Sequence, residues 1–258
     1  MLFNSKEKLM ASQTHIVRKR LAETVVQTRR LGRHIEHDPR SRDFPAERAQ
    51  AIVSVDHRAT GLPLDQGQIG SCTANALCGA LNSAPDYTGA KSYTESDAVM
   101  LYELETKLEG QPYPPNDPGG SGLMVCKAAQ QLGWISSYRH AFGLQHALTA
   151  LVIQPVITGF NWYTSFDEPD PDTGLVTITD DATVRGGHEV VVDGIDADNQ
   201  LIWLWNSWGT NFGRSGRFCM SFGTWEQLLA ESGDVTVPVT ASQTPATSHK
   251  TRQERGNQ

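Results

Sequence analysis

The sequence predicts an α+β fold built as two lobes, a mainly helical one followed by a β-rich one. Three observations carry this. Apolar residues recur at helical spacing in three segments between residues 72 and 132. Short runs rich in Val, Ile, Phe and Trp, each bounded by turn residues, occupy residues 155–222. Gly and Pro punctuate both halves, most densely in Gln111-Pro112-Tyr113-Pro114-Pro115-Asn116-Asp117-Pro118-Gly119-Gly120, which no regular element accommodates.

Taken in order, the first element is an arm. Between residues 12 and 37, Ile16, Leu21, Val25, Val26, Leu31 and Ile35 recur at near-helical spacing with Arg18, Lys19, Arg20, Arg29, Arg30 and Arg33 between them, which predicts a basic amphipathic helix ending before Asp38-Pro39. Asp43-Phe44-Pro45 then leads into the body. The small-residue run from Cys72 to Leu81 reads as a helix with Ser71 as N-cap, residues 94–108 as a second, and residues 122–132 as a third, closed by Gly133. The expected strands are residues 155–160, 175–179, 188–195, 201–206 and 216–222, with turns at Asp198-Asn199 and Gly213-Arg214. The expected organisation is an extension over residues 1–50, a body over 51–238 and a Thr-, Ser- and Gln-rich disordered tail over 239–258.

At 258 residues, with 38% hydrophobic and 20% charged, the chain can bury one large core or two lobes, and a fibrous or wholly disordered class is excluded. Charge is divided unevenly. Residues 1–50 hold 11 Lys or Arg against 6 Asp or Glu, net +5, which leaves −12 on the remainder. Such an arm can dock on its own acidic body. Nucleic-acid binding would call for a recognisable module or interleaved aromatics, and the arm has neither. The longest apolar stretch, residues 147–160, is too short to span a bilayer and is broken by Gln154-Pro155, and residues 1–8 lack an apolar signal core, so a cytoplasmic location is expected.

Chemistry concentrates in Gln66-Gly67-Gln68-Ile69-Gly70-Ser71-Cys72-Thr73. A cysteine at a helix start meets unpaired N–H groups and the positive end of the helix dipole, so the thiol is expected to fall from about 8.5 toward the reactive range. Gln66 can aim an amide donor at the same spot. Downstream, Gly186-Gly187-His188-Glu189-Val190-Val191-Val192 and Trp203-Leu204-Trp205-Asn206-Ser207-Trp208-Gly209 each set one polar residue against an apolar run. Nucleophile, base and orienter in one chain are the parts of an acyl-transfer site.

With these residues the chain resembles the papain family of cysteine peptidases, in a disulfide-poor bacterial or phage-like branch. Val55-Asp56-His57-Arg58 resembles the family's mature amino-terminal motif, and the likeness spans roughly residues 52–222. The resemblance implies a papain-like fold with the cleft between the lobes, Cys72, His188 and Asn206 as catalytic residues, Gln66 as oxyanion-hole donor and Trp208 as cover for Asn206. Gly119 and Gly120 would pair with an extended peptide, and Ser121 and Leu123 would border the pocket for the second residue before the cut. It implies no metal or other cofactor. Three departures stand out: Ile69 where secreted members carry a bridging cysteine, Thr73 where Trp is usual, and Glu189 where a small residue is usual. With Ile69 there and Cys78, Cys126 and Cys219 in apolar contexts, free thiols are expected.

The expected function is a thiol-dependent peptidase acting on a polypeptide or peptide, with neither nucleic acid nor membrane as partner. Alternatives are another thiol acyl-transfer enzyme, such as a peptidoglycan hydrolase or transpeptidase, and a silent binding protein on the same scaffold. For the arm the alternatives are a reduced pro-segment and a permanent extension, of which the permanent extension is preferred.

Overall fold

A computed structural model describes residues 15–24, 29–57, 61, 63–85 and 92–240. The expected tail beyond residue 240, residues 12–14 and 25–28 of the expected arm helix and Arg58 lie outside the described residues.

The helical lobe is organised on α1 (Cys72–Leu81), nine of whose ten residues are buried. A helix that is small or apolar on every side belongs in an interior. Gly79 allows its close approach to the sheet, since a Cβ there would lie 2.8 Å from a Val191 methyl. Around it pack α2 (Glu95–Leu108), whose start is fixed by a reciprocal Thr94/Asp97 capping box, and α3 (Gly122–Gln131), capped by the Ser121 hydroxyl and ended at Gly133 with φ of +73°.

The β-rich lobe is a seven-stranded antiparallel sheet. Its strands are β3 (Val55–Asp56), β4 (Ser137–His140), β5 (Val156–Tyr163), β6 (Val184–Asp196), β7 (Leu201–Trp205), β8 (Arg217–Ser221) and β9 (Asp234–Val239). They run β4-β9-β5-β6-β7-β8, with β3 paired to β6. Along β6, Val190 and Val192 enter a core with α4 (Leu144–Ile153) and α5 (Phe222–Ala230), while Val191 enters the core of the helical lobe with Leu77, Leu101 and Val125. Period-two alternation between two cores explains why Val190-Val191-Val192 is apolar without interruption.

The arm departs from expectation. No helix occurs among the described residues between 12 and 37. Instead β1 (Val17–Lys19) pairs antiparallel with β2 (Ile35–His37), and the chain between Arg29 and His34 is extended. The near-helical spacing is overridden because residues 32–34 make their backbone hydrogen bonds to Gly120 and Gly187 of the body rather than within the arm. Residues 175–179 likewise form no strand, only a single bridge from Leu175 to Cys219. The sequence reading also passed over α4, α5, β4 and β9. In α4 the apolar residues run all round the helix and give no amphipathic signal, and Gln154-Pro155 marks the change from α4 to β5.

Candidate active site

Cys72 opens α1 and is fully buried. Ser71 holds the N-cap position, yet its side chain makes no cap bond; its hydroxyl instead accepts from the Asn75 amide at 3.0 Å. The turn before it is tied by the Gly70 N–H, which donates to both Asp117 carboxylate oxygens at 3.1 Å. Tyr102 donates to Asp117 at 2.7 Å and accepts from Gly119 N–H at 2.7 Å, so one hydrogen-bonded chain joins the Cys72 turn to the glycine pair.

His188 sits in the middle of β6, opposite Phe160, with no exposed surface. Its Nε2 lies 2.7 Å from Asn206 Oδ1. Because an amide oxygen only accepts, Nε2 is the protonated nitrogen and Nδ1, which has no hydrogen-bond partner, carries the free lone pair. Trp208 stacks on the imidazole at 5.1 Å and 29°, and Trp162 meets it edge-on at 4.9 Å. The backbone N–H of Glu189, the residue after His188, acts on the Cys72 thiol against the effect of burial, which puts the cysteine near the histidine's strand. Gln66 is oriented by Ser207, whose hydroxyl donates to Gln66 Oε1 at 2.5 Å, while Ser207 N–H donates to Asn206 Oδ1 at 2.8 Å. Ser207 therefore couples the two amides. Neither it nor Trp162 was singled out in the sequence, although Ser207 lies inside the Asn206-Ser207-Trp208-Gly209 motif.

The arm lies over this constellation. Gln66 Nε2 donates to the Leu31 carbonyl at 3.4 Å as well as to Ile69 at 2.8 Å. Trp208 Nε1 donates to the Arg30 carbonyl at 3.1 Å, and the N–H groups of Gly32 and Arg33 both reach the Gly187 carbonyl, at 3.1 and 2.9 Å. On the other wall, Gly120 N–H donates to the Gly32 carbonyl at 2.8 Å and His34 N–H to the Gly120 carbonyl at 2.6 Å, a parallel bridge centred on Arg33. Residues 30–34 thus span from the strand that carries His188 to the glycine pair. Around them Arg29 stacks 5.4 Å over Trp208, Arg30 pairs with Glu23 and Asp117 at 3.2 Å, and Leu31 N–H donates to Glu23 at 2.8 Å.

Electrostatics in this state differ from the sequence expectation of a depressed thiol. Burial pushes Cys72 well above its ordinary value, with the Glu189 N–H working against it and the carboxylates of Glu189, Glu105 and Glu23 adding to it. Burial also pulls His188 down to about 3, opposed by the Asn206 bond and helped by Arg185. The helix terminus is present, but water exclusion outweighs it, and both shifts disfavour the charged forms. Glu189 is absent from the forces on His188 because strand alternation turns its carboxyl to the opposite face, toward Gly122, Gly159 and Asp234. Thr73, in the place where Trp is usual, donates to the buried Glu105 at 2.7 Å, and Glu105 in turn accepts from Ser121 N–H at 2.9 Å.

All four cysteines are buried and none is in a disulfide. Among the described residues no group of three or more His, Cys, Asp or Glu is placed to hold a metal ion, and no helix is long and apolar enough to cross a membrane.

No family model and no curated protein matches the chain. Solved structures do. Xylellain, a cysteine protease from Xylella fastidiosa, superposes with a TM-score of 0.68 at 24% identity over 84% of this chain and 99% of its own. Digestive procathepsin L 3 from the larval midgut of Tenebrio molitor gives 0.55 at 14% identity over 91% and 86%, and a Carica candamarcensis cysteine protease in complex with E-64 gives 0.51 at 17% identity over 72% and 98%. The architecture is the papain-like α+β fold of two lobes.

Proposed function

We propose that the chain is a thiol-dependent peptidase that hydrolyses peptide bonds through a Cys72 acyl-enzyme, and that its resting form is covered by its own arm. The observation that carries the reading is the His188 Nε2–Asn206 Oδ1 bond at 2.7 Å, which leaves Nδ1 as a base on the strand whose Glu189 N–H acts on the Cys72 thiol. In this reading His188 Nδ1 takes the thiol proton, the Cys72 sulfur attacks the amide carbonyl, and the developing oxyanion is held by Gln66 Nε2. His188 then delivers the proton to the leaving amine. It next takes a proton from water, whose attack on the thioester releases the acid and restores the thiol. Asn206 holds the tautomer throughout, and the indole of Trp208 keeps water from that bond.

The arm is assigned as an occluding segment rather than a permanent extension. Its Leu31 carbonyl occupies the Gln66 donor that a substrate carbonyl needs, and its backbone occupies Gly120, the edge an extended peptide would pair with. The names of the structural neighbours favour the same chemistry, two of them being called cysteine proteases and one a procathepsin. The test is cleavage of a mixed peptide library by the full-length protein and by Cys72→Ala, read by mass spectrometry of the products. New amine and carboxylate termini that vanish in Cys72→Ala are expected. Turnover that survives the substitution removes Cys72 from the reaction, and products joined to an added amine instead of water make the enzyme a transferase.

A further inference from the structure

Asn75 lies three residues after Cys72 in a helix whose buried residues are otherwise mostly Ala, Leu and Cys, and it is only 3% exposed. Its amide has a fixed orientation. The Ser71 carbonyl, which can only accept, takes a hydrogen bond from Asn75 Nδ2 at 2.9 Å, so Oδ1 points the other way. That oxygen is buried and has no hydrogen-bond partner among the described residues. The tie to Ser71 does not by itself account for an asparagine here, because the Ser71 carbonyl already accepts from the Asn75 backbone N–H at 3.0 Å. Asn206 presents the complementary case. The Ser207 N–H, which can only donate, fixes Asn206 Oδ1 at the end that meets His188, and Nδ2 is left buried without a partner.

Both residues line one cavity of about 30 Å³ between α1 and strands β6 and β7. A water needs about 10–15 Å³ of such space, so one fits. Much of the wall is apolar, and its other polar side chains are engaged or turned away. Asn82 spends both ends of its amide on the Tyr93 backbone, at 2.8 Å each, and the Ser207 hydroxyl donates to Gln66. The Glu189 carboxyl is turned toward Gly122, Gly159 and Asp234. What remains is one acceptor, Asn75 Oδ1, and one donor, Asn206 Nδ2. A buried amide atom without a partner is destabilising, and a single water satisfies both by donating to the first and accepting from the second.

We propose that Asn75 is a positioning residue of the triad, acting through a water held in this cavity. The water ties Asn206 Nδ2 to Asn75 Oδ1 and so keeps Asn206 Oδ1 on His188 Nε2. Because Asn75 and Cys72 share α1, the same tie sets the imidazole relative to the sulfur. The proposal rests on the peptidase reading above and adds a residue to its machinery.

The experiment is a double-mutant cycle in the full-length Gly32→Ala protein, where a Cβ meeting the Gly70 carbonyl displaces the arm. Peptide turnover is compared with no further change and with Asn75→Leu, Asn206→Ala or both. Asn75→Leu has nearly the shape of asparagine and no acceptor, and it is expected to lower kcat about tenfold with KM unchanged, the worth of one buried hydrogen bond. In the presence of Asn206→Ala the same substitution is expected to change kcat less than about twofold, since the group it acts through is gone. An equal loss on both backgrounds, or no loss on either, overturns the proposal. A crystal structure of the unsubstituted full-length protein reads the bridge directly, whether or not Asn75→Leu folds. Density for a water within about 3.2 Å of both Asn75 Oδ1 and Asn206 Nδ2 sustains the proposal, and a cavity without such a water overturns it. If none of the four proteins cleaves a peptide, the peptidase reading fails, and the crystal alone decides the bridge.

Discussion

Gly32→Ala is the sharpest test of the arm, because it changes no side chain that the proposed mechanism uses. Gly32 has φ of +140°, and a Cβ built on it would lie 2.2 Å from the Gly70 carbonyl oxygen, two residues before Cys72. The backbone conformation alone costs an L residue about 1–3 kcal/mol. The contact is with backbone that is pinned by Asp117 through Gly70 N–H, so it is relieved only by lifting the arm. Four backbone bonds hold residues 32–34 to Gly120 and Gly187, each contributing about 1 kcal/mol. A strain of about 3 kcal/mol therefore cancels most of what these four bonds contribute and shifts the closed-to-open ratio about 10²-fold, since each 1.4 kcal/mol is a factor of ten. The assay is the rate at which iodoacetamide alkylates Cys72, located by peptide mapping, alongside peptide turnover. Both are expected to rise by about 10², levelling off once the open form predominates. Unchanged alkylation and unchanged turnover in a folded Gly32→Ala protein would refute the assignment of the arm as a cover.

Three further outcomes follow from the same geometry. In the wild type the alkylation rate of Cys72 is expected to keep climbing through pH 9, because burial raises the thiol above its ordinary value and the thiolate appears only above that; in Gly32→Ala the profile shifts to lower pH as water and the helix terminus reach the sulfur. A pH profile identical in the two proteins argues against the arm as the cause of the raised thiol. On the Gly32→Ala background, Gln66→Ala is expected to lower kcat by about 10²–10³ with a smaller change in KM, the usual loss of one oxyanion donor, and an unaltered kcat removes Gln66 from the site. Reducing agent should leave the melting temperature in place, since none of the four cysteines is in a disulfide, and a drop in Tm would reveal a disulfide on which the fold depends.

The sequence by itself determined what local signals encode. The periods of α1, α2 and α3, the Gly133 stop and the uninterrupted valines of β6 are short-range facts that recur in the structure, whereas Ser71, the cap the sequence offers, makes no side-chain cap bond. The order of Cys72, His188 and Asn206, with Gln66 six residues before the cysteine, was equally legible, because chemistry restricts which residue types can stand there. Tertiary structure decided the rest. Residues 29–37 carry a helical pattern, yet their backbone donors find Gly120 and Gly187 at far greater sequence separation, and those bonds outweigh weak local propensity. Only the isolated Gly32, interrupting the pattern, hinted at it. β9 is inserted between β4 and β5, although Thr- and Pro-bearing residues 234–239 look like the start of a tail. The direction of the Cys72 shift reversed because a helix terminus is a local feature whereas burial depends on what covers it. The cluster of Glu189, Asp234 and Arg33 joins residues up to 201 apart in the chain, and no spacing rule reaches that far. Strand alternation turned Glu189 away from His188, but only the folded sheet supplied the second carboxylate and the arginine that face it.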